Sequence, residues 1–262
     1  MSKRDLGHEY RVNTMRLLAR LGYASTRQVA RAVWWRCDIS TRKMAGRTLR
    51  WLLERGLIVA KRDGDSINGE QLSAVTAAGA AWLTEMGEPL PQGKAHARDW
   101  LRHAHSHRTA CNSVYAAMCG LFPDTPIWSE LEVRSGLAPV HEFAYRSEEG
   151  DTVKIPDLVA ENADGEYEWV EVENNWRSAK DLNKMVECMR AMFRNPKRIV
   201  CVHFVITAPG AKTIGDRMCK ALTHGPESGW PRQVKELDAR ILARHIRVSK
   251  LDPETLELTK VR

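Results

Sequence analysis

Three acidic residues in two strand-like segments are the part of this sequence best suited to chemistry. Asp157 lies in the segment 152–161, and Glu171 and Glu173 lie in the segment 167–173. Because successive side chains of a strand point to opposite faces, Glu171 and Glu173 share one face. On paired strands, Asp157 and Glu171 are expected to hold Mg²⁺ or Mn²⁺, which needs few carboxylate oxygens and keeps several waters. Such an ion activates a water molecule and neutralises a phosphate in the transition state.

A further carboxylate is available in the strand-like run 127–134. Glu130 or Glu132 on this run is expected to add a further ligand for the metal. The competing interpretation is that the acids form a solvated surface. Against it, the segment 123–182 carries fifteen acidic and five basic residues beside a basic module. So many acids repel phosphate unless a cation lies between them.

The segments around these acids predict an α/β sandwich built on a mixed sheet. The turn dipeptide Asp164-Gly165 marks a hairpin between the second and third strands. The expected order is helix, three strands, helix, a central strand buried on both faces, and a last helix. The ranges are His96–Leu121, Ile127–Arg134, Thr152–Glu161, Tyr167–Glu173, Ser178–Phe193, Arg198–Thr207 and Lys212–Leu222.

The N-terminal part of the chain predicts a winged helix-turn-helix. Three amphipathic helical segments precede two strand-like runs, which are joined by a turn. A further helix from Thr76 resembles the one that closes many winged-helix domains. The ranges of the helices and strands are Glu9–Leu21, Ser25–Val33, Ser40–Gly56, Leu57–Arg62 and Gln71–Val75.

The third of these helices carries basic residues away from its apolar face. This arrangement predicts a DNA partner, because a helix that docks in the major groove presents donors for phosphates and base edges. The competing interpretation is a basic, solvated helical bundle. The residues expected to position the duplex lie on this helix and the first hairpin strand: Arg42, Lys43, Arg47, Arg50, Lys61 and Arg62.

Charge is distributed unevenly along the 262 residues, whose net charge is +7. The segment 1–62 carries a net charge of +11, 123–182 carries −10 and 183–262 carries +8. This pattern favours a basic nucleic-acid-binding module joined to a second unit of different character. We expect the winged helix-turn-helix over residues 1–88 and an α/β unit with a basic C-terminal tail over residues 95–262. The tail either extends the DNA-binding surface or serves in a dimer.

Composition excludes two classes of protein. No apolar run approaches the ~18 residues of a membrane span, and the first residues lack the apolar core of a signal peptide. The six cysteines are widely spaced without a C-x-x-C pair, so we expect buried, reduced thiols. The sequence therefore predicts a cytoplasmic protein that neither spans a membrane nor is secreted by a signal peptide.

A group of histidines offers a competing motif. His103-Ala-His105, followed by Tyr115, resembles the His-hydrophobic-His signature of a class of DNA relaxases that use a tyrosine nucleophile. That chemistry needs both histidines on one strand face. The flanking residues predict a helix, on which side chains two residues apart diverge by about 200°. His103 and His107 stand one helical turn apart, a spacing that permits metal ligation, but the sequence offers no matching third ligand.

The order of the elements and the acidic residues resemble the restriction-endonuclease-like fold of the PD-(D/E)xK superfamily. With a winged helix in front, Pro156-Asp157 and the Glu171-Val172-Glu173 strand are similar to the plasmid replication-relaxation family and to MobC-type mobilisation relaxases. The similarity covers roughly residues 10–210. It implies action at an origin of plasmid replication or transfer.

The resemblance also implies a lysine where this chain has Glu173. A lysine there stabilises developing negative charge, which a glutamate cannot do. In some superfamily members the next helix supplies the lysine, and Lys180 and Lys184 stand one turn apart on that helix. One of these two residues is therefore expected to carry the positive charge.

Two hypotheses follow from the resemblance. In the first, the chain is a Mg²⁺- or Mn²⁺-dependent, site-specific DNA nickase, in which Asp157 and Glu171 hold the metal and Glu173 assists. In the second, it is a non-catalytic origin-binding or regulatory factor with a degenerate nuclease fold. Both bind double-stranded DNA, and other mobilisation or replication proteins and a second copy of the chain are further expected partners. Metal dependence distinguishes the two hypotheses.

Overall fold

The fold is described from a computed structural model. It describes residues 3–62, 70–88, 90, 97–102, 104–147, 150–175, 177–192, 199–208, 213–214, 216–217, 220 and 244–261. The predicted helix Lys212–Leu222 lies largely outside these ranges. Within the described part of the chain, no helix combines the length and the hydropathy that a bilayer crossing requires.

The N-terminal elements have the predicted order. Helix α3 begins after Asp38, whose carboxylate accepts a hydrogen bond from the Thr41 amide at 2.8 Å, and Ser25 forms a capping box at the start of α2. Strand β3 pairs antiparallel with both β1 and β2. The bounds are α1 Lys3–Leu21, β1 Ala24–Ser25, α2 Thr26–Trp34, α3 Ile39–Glu54, β2 Ile58–Arg62, β3 Gln71–Val75 and α4 Ala77–Glu85.

The remaining elements form a mixed sheet with helices on both faces, which confirms the predicted α/β class. The six-stranded sheet has the order β11-β10-β9-β8-β7-β4, and β5 pairs with β6 separately. The bounds are α5 Ala97–Arg102, α6 Ser106–Leu121, β4 Ile127–Trp128, α7 Glu130–Arg134, β5 Phe143–Ser147, β6 Gly150–Lys154, β7 Leu158–Glu161, β8 Tyr167–Glu173, α8 Ala179–Met192, β9 Ile199–Ile206, β10 Ile246–Leu251 and β11 Leu258–Lys260.

Each face of this sheet belongs to a different hydrophobic cluster. Val170 and Val172 of β8 pack with Tyr115 of α6, whereas Trp169 of β8 packs with Met185 of α8. The alternation of β8 residues between the two clusters follows from the two-residue period of a strand. The predicted strand Tyr167–Glu173 and its hairpin with β7 are confirmed.

The N-terminal helices share their core with the sheet. Met15 of α1 and Leu49 of α3 belong to the same buried cluster as Val170. Helix α2 packs on α6, and the Gln28 amide group donates to the Thr109 carbonyl at 3.0 Å and to the Ser113 hydroxyl at 2.9 Å. Because one buried cluster includes residues from both parts of the chain, the packing shows no sharp boundary between residues 1–88 and 95–262. The division into these two domains stays a prediction.

Two predicted strands are wrong in detail. The run Ile127–Arg134 contains only a two-residue strand, because the Ser129 hydroxyl and the Glu132 carboxylate form a capping box that starts helix α7. Glu130 and Glu132 therefore lie on a helix, not on a strand. The run Thr152–Glu161 is broken at Ile155-Pro156 into β6 and β7, which belong to different sheets; proline cannot donate to a strand ladder.

The predicted helix His96–Leu121 also needs correction. His105 has extended backbone angles, and its ring accepts a hydrogen bond from the Arg108 amide, so a separate helix α6 starts there. His103 lies outside the described residues.

The described end of the basic tail forms β10 and β11, and β10 pairs in parallel with β9. These strands extend the sheet. The expected role of the tail in DNA binding or in a dimer stays a prediction.

Two helical glycines provide a matched test of this packing. A Cβ at Gly79 of α4 would lie 2.0 Å from the Leu57 carbonyl oxygen, whereas a Cβ at Gly46 of α3 meets nothing within 4 Å. We expect Gly46→Ala to raise the free energy of unfolding by about 0.5–1 kcal/mol. Gly79→Ala should lower it by about 1–3 kcal/mol, since the backbone must shift. Urea unfolding of both variants checks this, and equal effects would contradict the described contact of α4 with Leu57.

Candidate functional site

The β7–β8 hairpin positions Asp157 beside Glu171. Leu158, the first residue of β7, pairs with Val170 of β8, and Asp157 comes directly before it. The Asp157 amide donates to the Val170 carbonyl at 3.1 Å, and its carboxylate Oδ2 accepts from the Val172 amide at 2.8 Å. Asp157 is thus bound to the backbone on both sides of Glu171, but it lies just outside β7, whereas the sequence predicts it on a strand.

Glu171 is buried and hydrogen-bonded by three side chains. Its carboxylate is 1% exposed. Oε2 accepts from Lys154 Nζ at 2.9 Å and from Arg177 Nη2 at 2.7 Å, and Oε1 accepts from the Trp169 indole at 2.7 Å. A buried carboxylate is tolerated when it is paired and hydrogen-bonded in this way.

Glu173 shares the guanidinium of Arg177 with Glu171. Arg177 Nε lies 2.7 and 2.9 Å from the two carboxylate oxygens of Glu173. One guanidinium reaches both acids because they project from the same face of β8, as alternation predicts.

The pKa values of the two acids shift in opposite directions. Burial raises the pKa of Glu171, but Lys154 and Arg177 outweigh it, so this pKa lies below its ordinary value. Burial also raises the pKa of Glu173; Arg177 opposes this, while the negative charges of Glu171 and Asp157 add to it, and the net shift is upward. The site therefore keeps Glu171 ionised and makes Glu173 the easier acid to protonate.

Helix α6 brings a histidine and a cysteine to Asp157. His107 Nε2 lies 3.0 Å from Asp157 Oδ1 and 3.5 Å from Cys111 Sγ. The hydrogen bond to Asp157 raises the pKa of His107, and burial raises that of the Cys111 thiol well above its ordinary value. Among the described residues, this is the group of three His, Cys, Asp or Glu side chains whose donor atoms lie within 4.8 Å of one another.

Glu130, the further predicted metal ligand, is engaged elsewhere. Its two carboxylate oxygens pair with Arg108 at 3.2 Å and with Arg134 at 2.8 Å. Burial raises its pKa, but these two guanidinium groups lower it by more. Within the described part of the chain, Asp157, Glu171 and Glu130 do not converge into one ligand group of that size.

The sequence analysis did not predict Lys154 and Arg177, the two basic residues that contact Glu171. The prediction took Lys180 and Lys184 from α8, where Lys180 is exposed and Lys184 half-buried. The sequence places residues 154 and 157 on one strand, where an odd spacing sends them to opposite faces, so it does not predict Lys154 beside these acids. The break at Pro156 removes that restriction. Glu173 and Arg177 form an ion pair, but Glu173 ends β8 and Arg177 precedes α8, so helical spacing does not predict this pair.

The carboxylates fit a hard divalent cation in donor chemistry. Asp157, Glu171 and Glu173 offer only oxygen, which Mg²⁺ and Mn²⁺ prefer. The oxygens of Glu171 already carry hydrogen bonds from Lys154 and Arg177, so an ion there competes with two cations.

Helix α3 presents a basic face away from the core. Thr41, Ala45, Leu49 and Leu52 are buried, which leaves Lys43, Arg47 and Arg50 exposed and Arg42 half-buried. Lys61 and Arg62 are exposed at the end of β2, and Lys61 Nζ also donates to the Leu101 carbonyl at 3.4 Å. The hairpin turn at residues 63–69 lies outside the described residues.

Comparison with known proteins gives no relative for this chain: no family model, no curated protein and no solved structure matches it.

The pairing of Glu171 can be tested by removing one cation. We expect Lys154→Met to lower the free energy of unfolding by about 2–3 kcal/mol at neutral pH, less than for a fully unpaired buried charge because Arg177 remains. The loss should shrink as pH falls below 4.5, the ordinary pKa of the glutamate, since protonation removes the buried charge. Urea unfolding at several pH values measures both effects.

Lys180→Met is the control for this measurement. It removes a lysine of the same chemistry from an exposed position on α8, where ion pairs contribute about 0–1 kcal/mol. Equal losses in the two variants would contradict the special role of Lys154.

Proposed function

We propose that this chain is a double-stranded DNA-binding protein that acts in the cytoplasm at an origin of plasmid transfer or replication. The observation that carries the proposal is the exposed basic face of α3, opposite a face that is packed into the core. The order helix, helix, helix and antiparallel hairpin supports a winged helix-turn-helix.

The geometry of α3 suits docking in the major groove. Lys43, Arg47 and Arg50 follow a spacing of four and three residues, which places them on one side of the helix. A major groove about 12 Å wide admits a helix whose side chains reach bases and phosphates. Arg62, at the exposed end of β2, is placed to contact the flanking backbone.

The charge of the first 62 residues, a net +11, supports the same partner. Each phosphate neutralised by Lys or Arg releases a counterion, so binding should weaken steeply with salt. The plasmid origin as the place of action rests on the sequence resemblance alone.

The DNA-binding face can be tested by neutralising it. We expect Lys43→Gln, Arg47→Gln and Arg50→Gln together to weaken binding of a mixed-sequence duplex. The slope of log K against log salt should lose about one for each phosphate contact removed. Fluorescence anisotropy over a salt series, with melting curves to verify folding, measures it.

Arg146→Gln, at an exposed position of strand β5, is the control for a change in net charge. It should leave the slope unchanged. An unchanged salt slope in the triple variant would contradict the assignment of α3 as the DNA-docking helix.

Metal-dependent nicking is a second candidate function, favoured by the lysine that contacts Glu171. Lys154 donates to Glu171, and Asp157 bonds to the amide of the next residue, Val172, which supports the set of two acids and a lysine that the PD-(D/E)xK resemblance implies. Lys154 takes the place that the sequence assigned to Lys180 or Lys184. Asp157 and Glu171 would hold Mg²⁺ or Mn²⁺, which supplies water activation and charge neutralisation.

The non-catalytic alternative is favoured by a different observation, the complete pairing of Glu171. Three side chains donate hydrogen bonds to its carboxylate. In this alternative the cluster is a structural ion-pair network and holds no metal. Metal dependence distinguishes these two functions.

We expect Mg²⁺ or Mn²⁺ at about 100 times Kd to stabilise the wild-type fold by about 2.7 kcal/mol if the carboxylates form a nuclease centre. Asp157→Asn should abolish this shift and the nicking of a supercoiled plasmid. Asp151→Asn, an exposed acid on β6, should retain both. Indifference of the wild type to both metals, together with intact DNA binding, would assign the chain to the non-catalytic factors.

A further inference from the structure

Three donor atoms of different chemistry converge beside the β7–β8 hairpin. The imidazole of His107, the thiol of Cys111 and the carboxylate of Asp157 place one atom each within 4.8 Å of the others. His107 and Cys111 are one helical turn apart on α6, so both project from one side of that helix. Asp157 reaches them from the sheet that α6 covers.

The way these groups meet argues against a nucleophilic cysteine. In a Cys-His-Asp triad the base uses one ring nitrogen for the nucleophile and the other for the orienting acid. Here the thiol and the carboxylate both approach Nε2 of His107. The thiol is also fully buried, out of reach of a substrate. Three donors that approach a common point are instead the arrangement of metal ligands.

The distances agree with a tetrahedral transition-metal site. With Zn–N of about 2.05 Å and Zn–S of about 2.3 Å, tetrahedral angles separate nitrogen and sulfur by about 3.5 Å, and nitrogen and carboxylate oxygen by about 3.3 Å. His107 Nε2 lies 3.5 Å from Cys111 Sγ and 3.0 Å from Asp157 Oδ1. A small movement of one side chain accommodates the ion.

We propose that His107, Cys111 and Asp157 form a three-ligand site for Zn²⁺ or a transition metal of similar softness. A thiolate and an imidazole select such ions over Mg²⁺, which prefers oxygen alone. Among the described residues the site has three protein ligands, which leaves one position of a tetrahedral ion for water, as in catalytic rather than structural zinc sites.

Charge and surroundings support the site. A thiolate, a carboxylate and a neutral imidazole balance a dication, so the assembled site is neutral; the thiol proton leaves to solvent on binding. Asp157 Oδ2 is held by the Val172 amide, the kind of outer contact that orients a ligand. The His107 side chain is 37% exposed, which gives the ion a route to the buried sulfur.

This inference goes beyond DNA binding and nicking, although the two proposed metal sites share Asp157. The carboxylate site for Mg²⁺ pairs Asp157 with Glu171, whereas the zinc site pairs it with Cys111 and His107. A thiolate signal from the bound metal therefore reports on the zinc site and not on the carboxylate site, which contains no sulfur.

Cobalt titration of the chelator-treated full chain is the direct experiment, because a thiolate bound to Co²⁺ gives an intense charge-transfer band. We expect one Co²⁺ per chain, bleaching of the band by one equivalent of Zn²⁺, and no displacement by a hundredfold excess of Mg²⁺. Cys111→Ser and His107→Gln should each lose the band. Cys119→Ser, two turns further along α6, should retain it.

The wild-type titration decides the question even where a variant folds poorly. The absence of a saturable thiolate band in the folded wild type would overturn the proposal. A full band in Cys111→Ser would overturn it too, because the metal would then sit on another cysteine. Far-ultraviolet circular dichroism establishes that each variant compared is folded.

Discussion

The burial of the Glu171 carboxylate constrains the architecture around it. An ionised carboxylate that is 1% exposed needs partners, and the chain supplies them from three places: Lys154 at the end of β6, Trp169 on β8 and Arg177 just before α8. These bonds fix how β6 and the start of α8 approach the central sheet. The same requirement brings Glu173 onto Arg177 and sets the opposite pKa shifts of the two acids.

Helix α6 joins this sheet to the N-terminal helices. It packs against the β8 face that carries Val170 and Val172, and it also packs on α2. His107 and Cys111, near its N-terminal end, lie beside Asp157. Within the described part of the chain, packed side chains therefore connect the N-terminal helices with the groups around Asp157. The two proposed sites are parts of one connected core.

The sequence predicted the elements whose patterns are local and unambiguous. The alternation of Tyr167–Glu173 and the Asp164-Gly165 turn predicted the β7–β8 hairpin. The apolar residues of α3 predicted which face of that helix is buried. Predictions that depended on a single cap or break were wrong: Ser129 starts a helix within a strand-like run, and Pro156 divides another run. The sequence predicted the acids of the site but not Lys154 or Cys111. These two residues contact the acids through tertiary packing, which residue spacing does not encode.

Hydrogen–deuterium exchange of the whole chain, with and without an excess of duplex DNA, tests the proposal that α3 and the adjoining hairpin bind DNA. We expect slower exchange over Ile39–Glu54 and Ile58–Arg62, with the amides of β8 and β9 unchanged. Unchanged exchange throughout α3 under saturating DNA, or protection confined to the sheet of the C-terminal part, would contradict it.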